Sequence, residues 1–227
     1  MKLRIWALIC MHVGMWSFVA WMLFAYAGEI KESAFLSIQA TREEYLAQPV
    51  FAQFVFTQTL HFDRPARITE LVVPMYLPEN PLPFKIRLMQ AGKPIYSWMY
   101  PLEGKKQGVV VAHLPFPIPT ILWGDIEVVF NGETIDHDHK EQAPGLFIEP
   151  QDEYYKAGNY RIVNNEKRGD IAMTFMEIKT NYEIFRDDFQ RDSISQLPRL
   201  LFIGVLALLL VQLPDIIAQM FFPEHRD

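Results

Sequence analysis

Four consecutive residues, Asp136-His137-Asp138-His139, alternate carboxylate and imidazole, side chains that zinc or another divalent ion takes as ligands. In an extended segment neighbours point to opposite faces, so Asp136 would converge with Asp138, or His137 with His139. Further ligands would have to come from elsewhere, and the alternative is a solvated polar loop after the Asn131-Gly132 turn. A second concentration of polar and aromatic residues lies between Ala143 and Asp170. Glu149, Asp152 and Asn159 stand there among Tyr154, Tyr155 and Tyr160. Tyrosine faces stack on sugar rings, and carboxylates and amides exchange hydrogen bonds with hydroxyls, so these six residues form a candidate glycan surface. Asp152 or Glu153 is also a candidate Ca²⁺ ligand. The competing reading is a long connection whose tyrosines fill the open end of a sandwich. Trp98 and Tyr100 make a smaller candidate of the same kind.

Motifs for covalent chemistry are missing from the sequence. There is no G-x-S-x-G, no H-E-x-x-H, no Walker loop and no G-x-G-x-x-G. Glu149 with Asp152 or Glu127 would serve as a glycosidase pair, but any acidic sandwich permits such a choice. The sequence therefore favours a non-catalytic recognition or scaffolding subunit over an enzyme. A metal-assisted hydrolase or transferase centred on Asp136–His139 and a purely structural subunit are the alternatives.

The elements that must position these residues are strands. Short runs alternate apolar and polar residues and are broken by Pro, Gly, Asn and Asp from Phe51 to Ile178, the pattern of an antiparallel sheet. Phe84, Ile86 and Leu88 face a core while Lys85 and Arg87 face water, and Ala91-Gly92-Lys93 turns the chain into a hairpin partner, Pro94–Tyr100. Ile126, Val128 and Phe130 point inward in the same way. Pro78, Pro81 and Pro83, and Pro115, Pro117 and Pro119, mark connections or edges, because proline cannot donate to a sheet ladder. No helix-length periodicity interrupts the set, which excludes a βαβ sheet and predicts a mainly β, two-sheet antiparallel sandwich over 51–180. Residues 28–50 read as a linker with a short helix, capped by Thr41 with Glu44 three residues on.

The order of a Gln58-Thr59-Leu60 strand, an Ile68-x-x-Leu71 strand and a Phe84-x-Ile86-x-Leu88 strand before Ala91-Gly92-Lys93 resembles carbohydrate-binding jelly rolls. Similar domains are attached to bacterial membrane glycosyltransferases and polysaccharide machinery. The resemblance covers about half the chain and implies a jelly-roll sandwich with a glycan or glycolipid partner. No binding residue of that family is matched here.

Apolar segments flank the strand-rich region. Ile5 to Ala27 carries no Asp, Glu, Lys or Arg and as a helix would reach about 34 Å, a membrane's hydrocarbon thickness. Lys2 and Arg4 before it, with Glu29, Lys31 and Glu32 after it, place the N-terminus in the cytoplasm. Ala25-Tyr26-Ala27 also fits the cleavage site of a signal peptide. A second segment runs over 200–222, with 181–199 as a juxtamembrane linker and 223–227 as a cytoplasmic tail. Its Gln212 and Asp215 are polar positions suited to contact with another membrane protein. The expectation is a bacterial inner-membrane protein with its main domain outside, both termini inside, and a lipid bilayer and a membrane protein as partners. A net charge of −6 argues against nucleic acid, and Cys10 as the single cysteine excludes an internal disulfide. No organic cofactor is implied; a divalent metal is the one candidate group.

Overall fold

The computed structural model describes residues 2–39, 47–52, 54–100, 106–149, 159–163, 165–167 and 169–191, with isolated helical positions between 198 and 216. Two units divide the chain, 32–178 and the pairing of 1–31 with 179–227.

Alternating apolar residues build the first unit. β1 (Ile30–Ile38) is a strand inside the expected linker 28–50, and the short helix expected there behind a Thr41 cap lies outside the described residues. The run Ala34-Phe35-Leu36-Ser37-Ile38 shows why, since Ile38 is buried and Phe35 and Leu36 pack on the core. β2 (Gln48–Pro49) is short, and β3 (Phe56–Leu77) merges two expected strands into one. β4 (Phe84–Gln90) and β5 (Lys93–Tyr100) form the expected hairpin, and β6 (Gly108–Asn131) again merges two expected strands. A 3₁₀ turn follows at His137–Gln142. β7 (Gly145–Leu146), β8 (Ile148–Glu149), β9 (Tyr160–Ile162), β10 (Asn165–Lys167), β11 (Asp170–Ile171) and β12 (Met173–Thr180) complete the set.

The main sheet runs β1-β12-β3-β6-β4-β5, every pair whose register is described is antiparallel, and β8 pairs separately with β11. A mainly β, antiparallel fold is therefore present, and it fits a sandwich. Its core contains Phe84, Ile86 and Leu88, with Ile126, Val128 and Phe130 beside them, all fully buried as the alternation required.

Two irregularities bend the long β3–β6 ladder. Asp63, Arg64 and Pro65 are extra residues on β3 between Phe62 and Ala66, and Phe116 to Pro119 are extra on β6 opposite the interval Ile68 to Glu70. Extra residues leave the ladder unpaired and turn side chains in new directions. Arg64 is so aimed that its Nη2 donates to the buried Glu177 Oε1 at 2.9 Å while its guanidinium lies 4.7 Å from the Phe35 ring centre. The prolines of the second irregularity take the edge position among the two expected, connections or edges. Pro115, Pro117 and Pro119 sit inside β6, but in its N-terminal half, where β3 is the one neighbour on the ladder; β4 pairs with residues 126–131 alone.

Glycine is required at one turn by close approach. A Cβ on Gly132 would lie 2.5 Å from the Val50 carbonyl oxygen. In the β4–β5 hairpin both turn residues have positive φ, Ala91 at 49° and Gly92 at 73°, as a two-residue hairpin turn of right twist demands.

In the second unit α1 (Lys2–Gly28) and α2 (Asn181–Arg191) are in contact. α2 begins with a capping box: Glu183 Oε2 accepts from Thr180 N at 2.8 Å, and Glu183 N donates to Thr180 Oγ1 at 3.2 Å. Among the described residues no helix is long and apolar enough to cross a membrane. The two transmembrane helices expected at 5–27 and 200–222 are thus not supported, and an inner-membrane anchor is not favoured. The expectation weighed missing charge, whereas a span needs sustained apolarity. His12, Gly14, Ser17 and several tryptophans interrupt the first segment, and Gln212, Pro214, Asp215 and Gln219 interrupt the second.

Candidate functional site

One outer sheet face gathers the polar side chains. On β3, residues Phe56, Gln58, Leu60 and Phe62 point to the core, so Thr57, Thr59 and His61 point away from it. Register then sets their neighbours. Thr59 faces Glu127 and His61 faces Asp125 across β6, while Thr57 faces Arg161 across β9. Arg161 Nη2 donates to Glu127 Oε1 at 2.8 Å, and His61 Nδ1 bonds Asp125 Oδ1 at 2.7 Å. An ionised carboxylate only accepts, so the imidazole Nδ1 carries the proton in this bond. Thr59 Oγ1 donates to Asn159 O at 2.9 Å and accepts from Asn159 N at 3.2 Å, which fixes the start of β9. Thr57 is buried, and beyond it exposure rises from Glu127 and Arg161 at 37% and 42% of their side chains to Asp125 at 89%.

Beneath the strip lies a buried polar cluster. Gln58 Nε2 donates to Asp170 Oδ1 at 2.8 Å, and Gln58 Oε1 accepts from Ile171 N at 2.8 Å. Asp170 stands directly across the β8–β11 ladder from Glu149, and all three side chains are within 1% of complete burial. The bonds of Gln58 tie β3 to β11, while one oxygen of each carboxylate, Glu149 Oε2 and Asp170 Oδ2, is buried without a hydrogen-bond partner among the described residues. Glu149 is therefore buried and not an exposed contact.

The other expected residues separate. Asn159 is exposed at the foot of the strip. Tyr160, opposite Gln58, packs against the core and is half-buried, and burial pushes its phenol above the usual range. Asp152, Tyr154 and Tyr155 lie outside the described residues. Trp98 and Tyr100 are buried, and Trp98 donates Nε1–H to Pro115 O at 3.0 Å while its ring meets Phe116 edge-on at 5.0 Å. Their work is packing. Of the membrane-contact candidates, Gln212 is an exposed helical position and Asp215 lies outside the described residues.

The Asp136–His139 segment is not extended. It forms the cap and first turn of the 3₁₀ helix, where residues three apart converge instead of residues two apart. Asp136 Oδ1 accepts from His139 N at 3.0 Å and bonds His139 Nδ1 at 2.5 Å. The side-chain bond from His139 holds the Asp136 carboxyl below the usual carboxylate range. His137 sits edge-on to Phe51 at 5.8 Å. Among the described residues no group of three or more His, Cys, Asp or Glu is placed to hold a metal ion.

Sequence reading missed the Thr57–His61 and Asp125–Glu127 strip. Its signal was present as polar residues alternating with core residues in two strands, but the register that joins them is not local. Two further signals were local and legible, the Thr180-x-x-Glu183 capping box and the isolated polar Gln58 amid a buried run. No protein-family model matches the chain, and no curated protein is similar to it.

Proposed function

We infer that the β-unit is a non-catalytic recognition module for a saccharide, serving a larger assembly in cell-surface glycan or glycolipid assembly or export. The observation that carries this is the outer strip. Arg161, Glu127, Thr59, Asn159, His61 and Asp125 stand on paired strands as alternating donors and acceptors, with their bonds to one another already formed. A rigid polar face of paired donors and acceptors suits the hydroxyls of a neutral sugar, which both donate and accept. The resemblance to carbohydrate-binding jelly rolls supports the same class of ligand.

The test is calorimetric titration of the full-length chain with a panel of neutral and acidic oligosaccharides. The expectation is saturable binding that weakens about tenfold or more in Arg161→Ala and Glu127→Ala, each removing a charge-assisted donor or acceptor from the face. Melting temperature should stay within a few degrees, because exposed ion pairs add about 0–1 kcal/mol. Binding that is undiminished in both variants would move the ligand elsewhere, and no binding to any sugar would end the reading.

A further inference from the structure

The second unit contains a cleft of about 500 Å³ near the end of α1 and the start of α2. Its apolar wall is Leu23, Ala27, Ile184 and Phe185, and its polar groups include Lys31, Asn181 and Asp188. The size and the balance, mostly apolar with a few placed polar groups, are those of a small-ligand site.

The local chemistry holds the cleft open and leaves two charges over. Asn181 is buried and bridges the end of α1, donating from Nδ2 to Tyr26 O and to Glu29 Oε2, both at 2.9 Å. Its backbone N–H donates to Glu29 O at 3.0 Å. Asp187, next in sequence to Asp188, is neutralised by Lys179 at 2.8 Å and by Arg186 at 3.2 Å. Lys31 and Asp188 remain. They line the same cleft, yet no ion pair joins them to each other or to any other described residue; Lys31 lies 6.0 Å from the Tyr26 ring centre, and Asp188 is half-buried. A carboxylate at an apolar wall gains most from a cation that reaches it, and an ammonium from an oxyanion.

We propose that this cleft binds a zwitterionic amphiphile. Its oxyanion meets Lys31, its ammonium meets Asp188, and its apolar chain lies along Leu23, Ile184 and Phe185. The two protein charges stand further apart than a direct ion pair, so the ligand's charges must be separated by a linker. Phosphate and ammonium are so separated in a phosphoethanolamine head, whereas an amino acid carries both charges on one carbon. The site is independent of the saccharide strip.

The experiment uses the full-length chain in a non-ionic detergent, titrated calorimetrically with dihexanoyl phosphatidylethanolamine. Dihexanoyl phosphatidic acid, dihexanoylglycerol, phosphoethanolamine and phenylalanine are the comparison probes. Saturable binding of the phosphatidylethanolamine is expected, about three- to tenfold weaker in Lys31→Gln and again in Asp188→Asn, the range for partly exposed charge pairs. Phosphatidic acid, which has no ammonium, should respond to Lys31→Gln alone. Equal binding of dihexanoylglycerol, or affinity unchanged in both variants, would reduce the cleft to an apolar crevice and overturn the proposal. Variant-sensitive binding of phenylalanine in place of the phospholipid would overturn the lipid as occupant. Both positions sit at the cleft surface, and matching melting curves of the variants would exclude misfolding as the cause.

Discussion

The two halves of the β3–β6 ribbon share one kind of inner face and differ on the outer one. In the half formed by Phe56–Phe62 and Gly124–Phe130, the outer residues are Thr57, Thr59, His61, Asp125 and Glu127. In the half formed by Ala66–Leu77 and Gly108–Leu122, exposed Val109, Val111, Ile118 and Ile121 dominate, with Trp123 at the junction; its polar pairs include His113 with Glu70 and, at its end, Gln107 with the Tyr76 hydroxyl, each at 3.1 Å. Ile118 is 75% exposed and Trp123 63%. The inner faces, by contrast, are uniformly apolar except at Gln58, under the polar half. Stability is thus supplied alike along the ribbon, and the chemical difference between its halves is written on the side that folding does not need.

Gln58→Leu should show the largest effect on this contrast. It removes the acceptor for the buried Ile171 N–H and a donor to the buried Asp170, a loss of about 2–5 kcal/mol in urea unfolding. The matching change in the other half, Thr69→Val, removes one hydroxyl that donates to Met176 O at 3.3 Å and should cost under about 1 kcal/mol. Equal costs would mean that the buried polar cluster is not what distinguishes the first half. A smaller effect is expected from Ile121→Glu with Trp123→Glu, two changes on the exposed apolar strip. Stability should move by no more than about 0.5 kcal/mol while solubility in light-scattering titration rises. A loss of several kcal/mol would show that the strip is covered by the chain itself.

The smallest effect is at alkaline pH. Tyr160 is raised above its ordinary value of 10.0 by burial, so the folded state keeps its phenol proton longer than the unfolded chain does. That contribution is complete below about pH 10 and is lost as pH rises through the folded value. Tyr160→Phe should therefore lessen the fall in melting temperature above pH 10 and leave neutral pH nearly unchanged. An unaltered alkaline slope would show that its burial does not act on its titration.

Strand identity and inward-facing residues were legible because alternation is local. Phe84, Ile86, Leu88, Ile126, Val128 and Phe130 follow from it directly. The merging of four expected strands into two was not legible, because bulges at Asp63–Pro65 and Phe116–Pro119 look like strand ends when no partner is in view. The strip of Arg161, Glu127, His61 and Asp125 depends on register between residues 34 and 64 positions apart, which no spacing in the sequence encodes. Composition pointed instead to the tyrosines, one of which, Tyr160, is partly used in packing. The Asp136–His139 segment departs from an extended geometry for a simpler reason: aspartate before a tight helical turn prefers to cap it.

Pro115, Pro117 and Pro119 acquire a meaning from where β6 leaves them. A strand with a neighbour on one side offers its remaining amide hydrogens to any extended peptide that drifts alongside, and exposed Val109, Val111 and Ile121 would reward that encounter. Proline has no such hydrogen to give. Three in alternate positions leave that stretch of β6 without a regular row of amide donors on which an intermolecular sheet could start. The triplet acts as a guard against polymerisation, set beside the apolar surface that most needs one.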